Sequence, residues 1–344
     1  MKKHIVYCLL FLVFIRTSAQ DLMTPELLWK LGRLSLETVS PDGNTAIYGV
    51  THYDVQANKG TRQLYFLDLK TGTSSPITGI TGNAGGFQYA PSGKTIGFLV
   101  SGVFYEMPLS GGTMTKVLEL PNGVSNVEYS PDGKYLLFST EVKTGEQLTD
   151  KYPAYPKANA VLTDDLMYRH WNSYEDGLSS QVFYIPYSDG KLMGKAVNIM
   201  EDSDFESPVM PFGDGEQLVW APDSKIIYYI TKQKTGMAYA VSTNTDIFRY
   251  DLTTKTTTNI TEGMMGYENS PAFSPDGSKM AWLSMKRDGY EADKNDLVVL
   301  DLKSGKKQNM TEFWDETLAA LSGQATESPF ILRQVKRRHT SFLN

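Results

Sequence analysis

The densest set of chemically capable side chains in this 344-residue chain runs from Tyr168 to Asp176. Tyr168-Arg169-His170-Trp171-Asn172-Ser173-Tyr174-Glu175-Asp176 places a guanidinium, an imidazole, three aromatic rings and two carboxylates side by side. Two readings stay open. In one, the segment faces a ligand. Arg169 then clamps a carboxylate or carbonyl through paired N–H donors, Glu175 or Asp176 accepts an ammonium, and Trp171 and Tyr174 form apolar walls. In the other, the segment is a structural plug, with Arg169 paired to Asp164 or Asp165 and Trp171 filling a gap. His170 reads as a packed, hydrogen-bonded histidine rather than a catalyst.

Elsewhere the chain offers little for catalysis. A strand–turn–helix serine nucleophile needs Gly-x-Ser-x-Gly, and the sequence contains none. His52, His170 and His339 do not form the H-x-x-x-H spacing of a zinc peptidase. Phosphate-loop and dinucleotide fingerprints are absent, so no cofactor is expected. Glu201-Asp202-Ser203-Asp204 invites comparison with an acid-only calcium loop. It lacks the loop glycine and terminal bidentate glutamate, and reads better as a solvated connection. No catalytic residue and no metal site are assigned.

The elements that must hold these residues announce themselves by repetition. Ser40-Pro41-Asp42-Gly43, Ala90-Pro91-Ser92-Gly93, Ser130-Pro131-Asp132-Gly133, Ala221-Pro222-Asp223-Ser224 and Ser274-Pro275-Asp276-Gly277 are near copies of one phrase. In each, Pro presets φ, Asp or Ser bonds the backbone ahead, and the last residue accepts a positive φ; the phrase is a hairpin turn. Its carboxylates are therefore turn formers, not acid–base pairs. An apolar run follows each copy, as in Tyr135-Leu136-Leu137-Phe138 and Met280-Ala281-Trp282-Leu283. A second phrase recurs as Leu64-Tyr65-Phe66-Leu67-Asp68-Leu69 and Leu297-Val298-Val299-Leu300-Asp301-Leu302. Strands and tight turns at a period of about 40–50 residues predict an all-β propeller, one blade per repeat.

Blades are expected over 33–315, at roughly 33–80, 83–120, 122–200, 206–262 and 267–312. A degenerate sixth begins near Thr317, within a segment 316–344 that ends in an aberrant basic tail, Arg333 to His339. Residues 21–32 read as a short helix, with Thr24 as N-cap and Pro25 at its first position. The third blade carries an insertion of about forty residues before Gln181, and long insertions in repeat scaffolds gather on one functional face. The Tyr168–Asp176 cluster lies inside it.

Residues 1–20 read as a secretory signal: Lys2 and Lys3, an apolar run from Ile5 to Ile15, then small residues to Ala19. Cys8, the single cysteine, falls within it, so an exported form would have no thiol or disulfide. A periplasmic or secreted location is expected. The net charge of −6 and the lack of a basic stripe argue against nucleic acid as a partner. The short tail run reads as solvated.

Taken together, these segments resemble the propeller half of the prolyl oligopeptidase (S9) family of serine peptidases, in its secreted dipeptidyl-peptidase and acylaminoacyl-peptidase-like branch. The likeness rests on Met23-Thr24-Pro25-Glu26-Leu27-Leu28, on the Ser-Pro-Asp-Gly phrases, on Met167 to Gly177 and on Ser207-Pro208-Val209-Met210-Pro211-Phe212. It covers about residues 22–315. It implies a propeller that gates peptide access to an α/β-hydrolase domain and helps bind the substrate's amino end. The candidate substrate-binding residues are Arg169, His170, Trp171, Tyr174, Glu175 and Asp176. The hydrolase half and its Ser-Asp-His triad are not in these 344 residues. The expectation is a truncated or frame-shifted product, inactive alone, with peptide and a separately encoded hydrolase domain as partners. An incomplete ring would expose strand edges and invite self-association. The rival expectation is a free-standing periplasmic binding propeller of the TolB-like kind.

Overall fold

The computed structural model describes residues 23–323 and 330–334. The signal reading of residues 1–20, and the tail beyond Gln334, lie outside the described residues. The chain divides into two compact units, Met1–Thr78 and Gly79–Asn344.

In the first unit, helix α1 (Pro25–Lys30) starts where the Leu27 amide donates to Thr24 Oγ1 at 3.1 Å. Trp29 meets Tyr53 edge-on at 5.4 Å, and Arg33 donates to the Leu28 carbonyl, fastening the helix to the sheet behind it. That sheet is β1 (Arg33–Val39), β2 (Thr45–Asp54), β3 (Lys59–Asp68) and β4 (Ser74–Pro76), antiparallel and in chain order. Leu34 and Leu36, on the edge strand β1, are 73 % and 66 % exposed.

The second unit repeats the same meander. Its first sheet is β5 (Ala84–Tyr89), β6 (Thr95–Val100), β7 (Val103–Pro108) and β8 (Thr115–Leu118). The next begins with β9 (Ser125–Tyr129) and β10 (Tyr135–Lys143). After the insertion, which holds the hairpin β11 (Arg169–His170) and β12 (Ser173–Tyr174), it resumes with β13 (Leu178–Ser188), β14 (Lys191–Leu192) and β15 (Val197–Asn198). Two further four-stranded sheets follow. The first is β16 (Leu218–Trp220), β17 (Ile226–Thr231), β18 (Asp246–Asp251) and β19 (Thr256–Asn259). The second is β20 (Glu268–Phe273), β21 (Lys279–Ser284), β22 (Asp296–Asp301) and β23 (Lys307–Asn309). A two-stranded sheet, β24 (Leu318–Gly323) with β25 (Phe330–Gln334), ends the described chain.

Alternation along each strand makes these sheets stack. Successive side chains on a strand point to opposite faces, so a strand buried on both faces serves two neighbours. Leu136 and Phe138 pack against Phe104 and Leu118 of the preceding sheet, while Leu137 packs against Leu218, Trp220 and Ile227 of the following one. Ile227 and Tyr229 face back, and Tyr228 and Ile230 face forward to Met280 and Trp282. Ala281 and Leu283 then meet Leu318. This is the packing of a β-propeller, the fold class expected from the repeats.

The five repeated phrases form the turns between the first two strands of their sheets. Their fourth residues return an amide to the first residue's carbonyl at 2.8–2.9 Å and take φ between +58° and +69°. Ser224 fills that left-handed place in the fourth copy. The Ser40 hydroxyl and the Asn44 side chain and amide hold the Asp42 carboxyl down to about 2; Ser274 does the same for Asp276. Corners also touch one another, since the Asp132 amide donates to Ser224 Oγ at 3.0 Å. A feature the sequence reading did not anticipate is a register break in the first strand of several sheets. Gly86, Asn126 and Ser270 take positive φ there, as bulges demand.

Candidate functional site

The insertion is an overgrown hairpin loop between β10 and β13. Those strands pair without a break out to Lys143 and Leu178. The Thr144 and Gly145 amides extend the stem to the Gly177 carbonyl, both at 3.0 Å. Asp176 closes the base by accepting the Leu178 amide at 3.1 Å. Beyond the stem, Arg169 pairs with Tyr174 and His170 with Ser173, leaving Trp171 and Asn172 as the tip. Trp171 sits at φ +47°, uncommon for a bulky side chain, and the residue is 71 % exposed.

The loop leans on the following blade. Trp171 meets Phe212 edge-on at 5.6 Å, and His170 meets Tyr239 at 6.1 Å. Tyr239 belongs to helix α2 (Gly236–Val241), between β17 and β18. Its hydroxyl donates to Glu206 Oε1 at 2.6 Å, and the same oxygen accepts the Met210 amide at 3.1 Å. Lys232 Nζ stands 3.9 Å from the centre of the Tyr239 ring.

Two cavities meet at this point. The first, about 530 Å³, is lined by Asp165, Glu175, Asp202, Asp204 and Glu206 against Lys232 and Lys234, so acids prevail. The second, about 540 Å³, is walled mainly by Met167, Trp171, Met210, Phe212, Tyr267 and Met285, with Glu291 and the hydroxyl residues Ser242, Thr243 and Thr245 also on its lining. Met167, Lys232 and Tyr239 border both and form the partition.

The electrostatics follow from burial beside like charge. Glu175 is pushed up to about 6, first by partial burial and then by the charges of Glu206 and Asp176. Its Oε1 stands 3.7 Å from His170 Nδ1, beyond hydrogen-bond reach, and that nitrogen is buried with no hydrogen-bond partner among the described residues. Burial, then Glu206, raises the Tyr239 phenol, and burial depresses the Lys232 ammonium. Among the described residues no group of three or more His, Cys, Asp or Glu could hold a metal ion.

No family model matches the chain. It is 39 % identical over 316 residues to dipeptidyl-peptidase 5 of Porphyromonas gingivalis, covering 87 % of this chain and 44 % of that protein. It is 36 % identical over 287 residues to the dipeptidyl-peptidase 5 of Porphyromonas endodontalis, covering 81 % and 40 %. These relatives and structural neighbours of the chain are peptidases of the prolyl oligopeptidase (S9) family, and the chain matches part of them. It spans less than half the length of these curated relatives. In fold it is similar to the acylaminoacyl peptidase of Pyrococcus horikoshii, with a TM-score of 0.61 at 14 % identity over 86 % of this chain and 42 % of that one. It is also similar to the β-propeller domain of the trilobed protease of Pyrococcus furiosus, with a TM-score of 0.54 at 13 % identity over 90 % and 79 %.

Set within this propeller, the six residues singled out by sequence separate. His170 and Trp171 line the apolar cavity and Glu175 the acidic one, whereas Arg169, Tyr174 and Asp176 line neither. Arg169 lies over the Tyr168 ring at 5.9 Å. Sequence reasoning did not single out Glu206, Lys232 or Tyr239. Glu206 directly precedes the Ser207–Phe212 segment that carried the family likeness, and that adjacency is the signal that could have found it. Nothing in local spacing ties Lys232 or Tyr239 to the insertion.

Proposed function

We propose that this chain is the peptide-binding and gating propeller of an S9 peptidase, and that it receives the free amino end of a peptide. The observation that carries this reading is the pair of cavities sharing one wall. A chamber rich in carboxylates suits an α-ammonium, and an adjoining chamber of thioethers and aromatic rings suits an apolar side chain of the same peptide. Glu175 and Glu206 are the ammonium acceptors in this reading, Trp171 and Phe212 form the rim, and Tyr239 separates the chambers. Hydrolysis of the peptide, release of dipeptides or acylated amino acids, falls to an α/β-hydrolase domain supplying the serine nucleophile. The N-terminal basic and apolar run supports export to the periplasm or beyond. The exposed Leu34 and Leu36 on edge strand β1 support self-association of the isolated chain, which size-exclusion chromatography across concentrations reads directly.

Calorimetric titration tests the binding role. Phenylalaninamide is expected to bind the full chain, and N-acetylphenylalaninamide, whose amine cannot carry charge, is not. Equal affinity for both would remove the basis for amino-end recognition. A serine-reactive phosphonate should leave the chain unlabelled; labelling of one serine with turnover would contradict the non-catalytic assignment.

A further inference from the structure

Lys232 is a cation on the wall of a chamber whose acids suit a cation. It is 9 % exposed and borders both cavities. Its Nζ donates to the Ser242 carbonyl at 2.6 Å and faces the Tyr239 ring, whose hydroxyl is held by Glu206. An ammonium carries three N–H donors, and one carbonyl takes only one of them. Burying an ammonium is unfavourable unless it is paired and hydrogen-bonded; Asp288, Glu206 and Glu291 oppose its charge, yet among the described residues only the Ser242 carbonyl accepts one of its N–H donors. A lysine in this place therefore favours a ligand oxygen arriving at the partition.

The chemistry of an amino end supplies that oxygen. In an α-aminoacyl group the carbonyl carbon is two bonds from the ammonium nitrogen, so its oxygen lies about 3 Å from that nitrogen. Glu206 and Lys232 occupy two parts of one phenol, the hydroxyl and the ring face. An ammonium at the first brings its neighbouring carbonyl toward the second.

We propose that Lys232 is a specificity-determining residue that donates to the carbonyl oxygen of the peptide's first residue, so that the site selects an α-aminoacyl group over a bare amine. This rests on the amino-end reading above. Lys232 would thus set which amines enter, and the apolar chamber would set which side chains follow.

The test compares phenylalaninamide with phenethylamine, which keeps the amine and the ring but has no carbonyl, by calorimetry on the full chain. The unaltered chain is expected to bind phenylalaninamide about tenfold tighter, the worth of one charge-assisted hydrogen bond. Lys232→Met should abolish that preference by weakening phenylalaninamide relative to phenethylamine. Lys232→Arg, which keeps a donor, should retain most of it. If Lys232→Met weakens both ligands equally, or neither, the inference is overturned while amino-end binding stands. If neither ligand binds the unaltered chain, both fall. Should Lys232→Met fail to fold, Lys232→Leu takes its place: a lost preference with an unchanged melting midpoint supports the role, and a preserved preference refutes it.

Discussion

The sharpest consequence of the acidic chamber is a pH dependence that a second substitution should move. Glu175 is raised from 4.5 to about 6, with burial the first cause and repulsion from Glu206 and Asp176 the rest. An ammonium needs the ionised carboxylate. Near pH 7 most Glu175 is charged; at pH 5, one unit below its midpoint, only about a tenth is, so its contribution to amine affinity falls roughly tenfold. At the alkaline end a ligand amine loses its own charge above about pH 8. Affinity for phenylalaninamide should therefore form a plateau between about 6 and 8, with the acid limb belonging to the protein. Glu206→Gln removes one repelling charge but keeps an acceptor for the Tyr239 hydroxyl. The acid limb should then move down toward 4.5, while maximal affinity drops through loss of one counter-charge. Titration calorimetry from pH 5 to 8, on both chains, reads midpoint and plateau separately. Flat affinity across that range, or an acid limb that Glu206→Gln leaves in place, would refute the coupled-carboxylate account.

Three further outcomes concern the scaffold. Trp282 is fully buried between two blades, so Trp282→Ala should cost about 3–5 kcal/mol in urea unfolding; a loss under about 1 kcal/mol would contradict the stacking described. Glu268 is fully buried, accepts from Trp282 and Ser284, and is raised to about 7 by burial despite those bonds. Its folded pKa exceeds its unfolded value of 4.5, so its contribution to stability is present below pH 4.5 and lost as pH rises to about 7. The amount is about 3 kcal/mol, and Glu268→Gln should flatten the melting-midpoint curve across that window. Gly133 sits at φ +69°, where an added Cβ would come within 3.3 Å of Pro91. Gly133→Ala should destabilise by about 1–2 kcal/mol in urea, and a neutral result would argue against the turn geometry.

What the sequence alone determined is the repeating unit. Ser-Pro-Asp-Gly corners act over four residues, because proline's fixed φ, the aspartate's bonds to its own backbone and a left-handed fourth residue are local properties. The runs after them, such as Leu136-Leu137-Phe138, are apolar on both faces, which demands a neighbour on each side and hence stacked blades. The insertion was legible as an interruption of the period, whereas its aromatic and acidic content fitted a ligand-facing segment and a structural plug alike.

The division of labour inside the site was decided only by the tertiary structure. Asp176 and Glu175 are adjacent acids that no local pattern distinguishes, yet the stem geometry spends Asp176 on the Leu178 amide and points Glu175 toward the acidic chamber. Glu206, Lys232 and Tyr239 lie about 30 to 70 residues from the insertion and reach it because stacking sets one blade's loops beside the next's. Such contacts depend on how whole sheets pack rather than on any run of neighbouring residues. The repulsion that Glu206 exerts on Glu175, and the lysine behind Tyr239, arise only from that packing.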